Sequence, residues 1–132
     1  MRIARRVLDC MIQHARDEAP LECCGLLAGT DALIDEYVPT RNVRESEVAY
    51  EIDPREHIAA RKRLRGHGRS ILGAYHSHPR SAAIPSATDI AEAYYDENFV
   101  YVIVSLERES PDIRVYRVAQ RDLLAVDFEP VP

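Results

Sequence analysis

The stretch YHSHPRSAAIPSATDI, residues 75–90, carries two histidines one residue apart, followed closely by a serine and an aspartate. On a β-strand, side chains alternate faces, so His76 and His78 would point the same way. Two residues of strand rise would set their Cα atoms roughly 6.6 Å apart. Two imidazoles on one face at that separation can converge on a single ion, with Zn–N bonds of about 2.0–2.1 Å. Pro79 then removes a backbone donor and turns the chain away. Pro85-Ser86-Ala87-Thr88-Asp89 reads as the opening of a helix. Serine at the N-cap with an acidic residue at N3 is nearly a capping box, and capping alone would account for both residues. Taken together with the histidines, the pattern supports a second role. A catalytic zinc typically has three protein ligands and one position left for water. His76, His78 and Asp89 would supply N, N and O donors, and the Ser86 hydroxyl would stand beside the open position.

Such a centre gains from a carboxylate that takes a proton from water and returns it to a leaving amine. Glu22 sits at the mouth of an apolar run, and Glu51 flanks another short one. Spacing alone does not choose between them.

The elements that would position these residues can be read from periodicity. Val7, Leu8, Met11, Ile12 and Ala15 fall on one face at helical spacing, giving a helix from about Arg5 to Glu18 that Pro20 stops. Ile3 begins a short strand before it. CCGLLAGT reads as a buried strand, and Ala32 to Val38 as a second one closed by Pro39. Residues 40–49 form a polar loop, and Tyr50 to Ile52 a short strand. Asp53-Pro54 is an N-cap followed by proline at the first helical position. That helix runs to about Arg65; its basic face is read as solvated. Ser70 to Ser77 is a strand, Ala87 to Tyr95 a helix, and Phe99 to Leu106 the clearest strand by its β-branched and aromatic content. Ile113 to Val118 and Leu123 to Phe128 close the chain. The expected architecture is α/β (α+β), with helices packed on one mixed sheet, in a single domain spanning residues 1–132.

Bulk properties narrow the function. The length of 132 residues suits one hydrophobic core. A net charge of −5 with interspersed signs argues against a nucleic-acid partner, which calls for a basic face. No apolar run approaches the roughly 20 residues that span a bilayer, and the N-terminal stretch is interrupted by Asp9, Gln13 and His14, unlike a secretory signal. A cytoplasmic location with no membrane partner is expected. Three cysteines, two of them adjacent, give no disulfide framework and read as small buried hydrophobes. His14, His57 and His67 read as surface residues.

His76-Ser77-His78-Pro79, then Ser86 and Asp89, resembles the signature of the JAMM (MPN+, Mov34/PAD-1) zinc metalloproteases. Pro20-Leu21-Glu22-Cys23-Cys24-Gly25-Leu26-Leu27-Ala28-Gly29 resembles the upstream segment of the same family, and Tyr50 to Pro54 and Tyr101 to Leu106 are similar to its small prokaryotic stand-alone members. The resemblance covers most of the chain. It implies an MPN/JAB1, cytidine-deaminase-like fold: a curved mixed sheet flanked by helices. It implies one zinc per chain on His76, His78 and Asp89, Glu22 rather than Glu51 as acid/base, and Ser86 as oxyanion donor. It also implies cleavage after the C-terminal Gly-Gly of a ubiquitin-fold protein, above all a sulfur-carrier protein adduct, as in the sulfur-carrier-protein peptidases. The segment Arg41 to Tyr50 would flank the groove for that tail, and the tail could lie along a sheet edge.

Two rivals are weaker. A nucleobase deaminase needs His-x-Glu with a later Pro-Cys-x-x-Cys, and here the cysteines are adjacent and precede the histidines. A catalytically silent MPN-type scaffold module would be expected to lose a ligand, and this chain carries the full set. A homodimer is the base-rate expectation for assembly.

Overall fold

The computed structural model describes residues 1–93 and 98–132. The chain runs β1 (Arg2–Ala4), α1 (Arg5–Glu18), β2 (Cys24–Thr30), β3 (Leu33–Thr40), α2 (Pro54–Gly66), β4 (Ser70–His78), α3 (Ala87–Glu92), β5 (Val100–Ser105), β6 (Asp112–Ala119), β7 (Asp122–Val126) and β8 (Glu129–Val131). The expected helix from Ala87 to Tyr95 is observed to Glu92; its last two residues lie outside the described ones. The eight strands form one mixed sheet in the order β7-β6-β5-β4-β2-β3-β1-β8. No helix among the described residues is long and apolar enough to cross a membrane.

Strand alternation splits the core in two. Leu27, Tyr75, Val100, Val102 and Val104 face α1, whose Val7, Met11 and Ala15 are buried against them. Leu26, Ala74, Tyr101 and Ile103 face the other way, toward Ala60 of α2 and Ala83 of the β4–α3 connection. His76 and His78 continue the row begun by Ala74, so they emerge on the α2 side at the end of β4. Cys24 of β2 pairs with His76 in an antiparallel ladder. On the other side β4 runs parallel to β5, with His78 opposite Ser105. The histidines therefore sit on a central strand, fixed from both sides.

Several boundaries differ from the sequence reading. β3 does not stop at Val38 but runs through Pro39, which pairs with Gly25. The neighbouring β1 reaches only Leu33 and Ile34, so the edge beside Pro39 is open and its missing N–H deprives no strand. Asp31 and Ala32 both have positive φ, as a two-residue hairpin turn demands, which pushes the start of β3 to Leu33. Tyr50 to Ile52 is not a strand; only Ile52 bridges, to Asn42. β8 is an additional edge strand, parallel to β1.

Candidate metal centre

Local chemistry brings the β4–α3 connection back over the strand end. Three successive carbonyls in it are each caught by a side chain. Ser105 Oγ donates to Ser81 O at 2.6 Å. His78 Nδ1 donates to Ala82 O at 2.7 Å, and the Tyr116 hydroxyl donates to Ala83 O. The helix start is then set by a full capping box: Ser86 Oγ accepts from Asp89 N at 3.0 Å, and Asp89 Oδ2 accepts from Ser86 N at 2.9 Å.

The capping expectation is therefore correct, and it does not exclude the other role. The same Asp89 Oδ2 lies 3.2 Å from His76 Nε2 and 3.1 Å from His78 Nε2, and the two Nε2 atoms are 3.2 Å apart. Three donors on a tetrahedral ion with bonds of about 2.0–2.1 Å stand about 3.3–3.4 Å from one another. The triangle is nearly that size. Its three side chains are 2%, 4% and 6% exposed in the order His76, His78, Asp89. The bond from His78 Nδ1 to a backbone carbonyl fixes the tautomer that leaves Nε2 with a lone pair, a common support for a ligating histidine. His76 Nδ1 has no partner among the described residues; its ring is held by stacking on Tyr50, with centroids 4.2 Å apart.

Glu22 reaches the same place from the next strand. It lies two residues before β2, whose pairing with β4 sets its side chain beside the histidines. Donor atoms of Glu22, His76 and His78 all lie within 4.8 Å of one another. Glu22 is 4% exposed, and its Oε1 has no partner among the described residues. Burial pushes its carboxyl up to about 7, with His78 pulling it down and Asp89 raising it. Glu51, the other carboxylate flanking a short apolar run, is exposed. Burial tends to depress both histidines. It prevails at His76, whereas at His78 the bonds to Asp89 and Ala82 outweigh it and raise the value. Burial acts to raise Asp89 as well, but its histidine and Ser86 bonds hold it well below the usual carboxylate range.

The donor set of two imidazoles and one carboxylate, with a second buried carboxylate at the rim, suits zinc with an open position. Glu22, Ser86 and His78 line a depression of about 410 Å³ whose rim carries the exposed Val48 and Ile84. A second cleft of about 450 Å³ runs over the α2 side of the sheet, past Tyr50, Ala74 and Tyr101. Arg44 and Tyr50 line that cleft, and Glu47 and Val48 line the first, so the segment from Arg41 to Tyr50 borders both depressions.

Cys23 and Cys24 are buried and form no disulfide, and burial pushes their thiols up to about 12 and about 11. They are packing residues, as expected. His57 and His67 do not reach the centre; their bonds are to Arg61 and to the Arg63 carbonyl. His14 is no surface residue: its Nδ1 meets the Tyr75 hydroxyl at 2.8 Å, with 13% of its side chain exposed. Tyr50, read from the sequence as the start of a short strand, instead lies in a loop and stacks on His76, a contact that periodicity does not signal.

A sequence profile of prokaryotic homologues of the JAB domain matches residues 4–119. The chain belongs to this family. It is 40% identical over 110 residues to a desampylase of Haloferax volcanii, covering 78% of each chain. It is 28% identical over 127 residues to the CysO-cysteine peptidase of Mycobacterium tuberculosis, covering 95% of this chain and 85% of that one. The fold matches the solution structure of a Desulfitobacterium hafniense protein with a TM-score of 0.89 at 31% identity, over 99% of this chain and 93% of that one. The resemblance to a small prokaryotic JAMM/MPN+ protein and the α+β architecture it implied are thus both correct.

Proposed function

We propose that this JAB-domain protein is a zinc-dependent peptidase or isopeptidase that cuts after the C-terminal Gly-Gly of a ubiquitin-fold protein, most notably a sulfur-carrier adduct. The observation that carries the reading is the triangle of His76 Nε2, His78 Nε2 and Asp89 Oδ2, with edges of 3.1–3.2 Å, beside the buried Glu22. In this reading the three residues hold one zinc. When bound there, zinc supplies a Lewis acid that polarises the scissile carbonyl and makes water acidic near neutral pH.

The chain's own groups do the rest. Glu22 accepts the proton of the attacking water and delivers it to the departing amine, a task suited to a carboxyl whose pKa lies near the working pH. Ser86 Oγ already accepts from Asp89 N, so its hydroxyl proton is free to donate to the developing oxyanion. A Gly-Gly tail has no side chains to obstruct its entry into the depression lined by Glu22, His78 and Ser86. The names of the Haloferax and Mycobacterium relatives, a desampylase and a peptidase of a CysO–cysteine substrate, support this substrate class. Three unpaired thiols fit a reducing, cytoplasmic setting.

The test is to incubate the zinc-loaded protein with ubiquitin-fold carriers extended past Gly-Gly, either by cysteine or through a lysine ε-amine. Products are read by mass. A fragment ending in Gly-Gly is expected; intact carriers of both kinds after prolonged incubation would remove the proposal.

A further inference from the structure

We infer that Asn42 is a positioning residue, holding Glu22 in register with the imidazoles through the backbone rather than by touching substrate; this rests on the proposed role of Glu22 as base. Glu22 lies outside the sheet ladder, since β2 begins at Cys24. Its backbone N–H and C=O must therefore find partners elsewhere. Both find them in one loop. Glu22 N donates to Ser46 O at 2.8 Å, and Glu22 O accepts from Asn42 Nδ2 at 3.0 Å.

The Asn42 amide does more than that single bond. Its Nδ2 also donates to Ala49 O at 3.0 Å, while its Oδ1 accepts from Arg44 N at 3.0 Å and Glu51 N at 3.1 Å. An asparagine amide has two donor hydrogens and two acceptor lone pairs, so its full capacity is used. The partners also fix its orientation, because carbonyls lie on one side and N–H groups on the other. Ala49 immediately precedes Tyr50, the ring stacked on His76. One half-buried side chain thus joins the residue bearing the base to the segment that braces a histidine. The loop is closed beneath it by Val43 N donating to Glu51 O at 3.0 Å.

No other residue type meets these demands. Aspartate would keep the acceptor half for Arg44 and Glu51 but set carboxylate oxygen against the Glu22 and Ala49 carbonyls. Glutamine would keep both halves and place them one methylene too far out. Released from Asn42, Glu22 would keep its side chain but lose the backbone anchor that aims it.

The experiment compares Asn42→Asp and Asn42→Gln with wild type and Glu22→Gln. It measures bound zinc, kcat and KM on the Gly-Gly-extended carrier that wild type cleaves, and tryptic cleavage after Arg44. Both Asn42 variants should keep their zinc, lose about 10–100-fold in kcat with KM little changed, and be nicked faster after Arg44. The inference is overturned if kcat holds in both variants, or falls only in step with zinc content or the folded fraction, or if KM rises alone. Full activity in Glu22→Gln would instead overturn the assigned base. An inactive Glu22→Gln beside fully active Asn42 variants would sink only the role of Asn42.

Discussion

Nε2 of His76 and Nε2 of His78 face each other 3.2 Å apart, on two buried rings at the floor of a depression. His78 donates its Nδ1 proton to Ala82 O, so on the neutral ring the Nε2 lone pair faces Asp89 Oδ2 at 3.1 Å, acceptor against acceptor. A cation among these nitrogens and Asp89 Oδ2 resolves the conflict. The purified protein is expected to carry about one zinc per chain, and Asp89→Asn to lose most of it while keeping its circular dichroism spectrum. Metal analysis of protein prepared without chelator checks this, and absence of zinc in the wild type would count heavily against the centre.

The proposed role of Glu22 separates metal binding from chemistry. Its carboxylate is buried near the histidines, yet the triangle is complete without it. Glu22→Gln should retain zinc and lose about 10²–10⁴-fold in kcat, the usual scale for a general acid/base. Unchanged turnover in that variant, with the metal in place, removes Glu22 from the mechanism.

The proposed oxyanion role of Ser86 and its observed role as the cap of α3 are confused by a single alanine substitution, which removes the oxygen that serves both. Ser86→Gly separates them. Glycine at an N-cap costs only a few tenths of a kcal/mol, whereas loss of an oxyanion donor costs about 10²–10³ in kcat. Near-native melting with a collapsed kcat is expected. Activity that merely follows melting temperature would leave Ser86 as a cap and nothing more.

What the sequence made legible follows the range of the interactions involved. His76 and His78 are two residues apart, so strand alternation alone puts them on one face. Ser86 and Asp89 are one helical turn, and their capping box is equally local. Glu22 is different: its place depends on Cys24 of β2 lying opposite His76 of β4, and no local spacing encodes that pairing. Only the resemblance to a known segment chose it over Glu51. Asn42 and Tyr50 act from a loop, Asn42 by a hydrogen bond to Glu22 and Tyr50 by stacking on His76, so local pattern gave no sign of either contact. Periodicity assigns no element beyond Phe128, since two prolines in Glu-Pro-Val-Pro give no strand signal; an edge strand tolerates Pro130 where an inner one would not.

Ser77, between His76 and His78, points to the opposite face and is 0% exposed. Its Oγ accepts from Cys23 N at 2.8 Å, and its own N–H donates to Cys23 O at 3.1 Å, joining β4 to the residue that follows Glu22. Ser77→Ala leaves a buried N–H without its partner, which costs about 1–3 kcal/mol. The expected result is a lower denaturant midpoint at unchanged m-value in chelated protein, with zinc stoichiometry intact when metal is restored. An unaltered midpoint would mean that the Cys23 N–H finds another acceptor. Loss of zinc without loss of stability would instead mean that the serine holds the histidines in place rather than the strands.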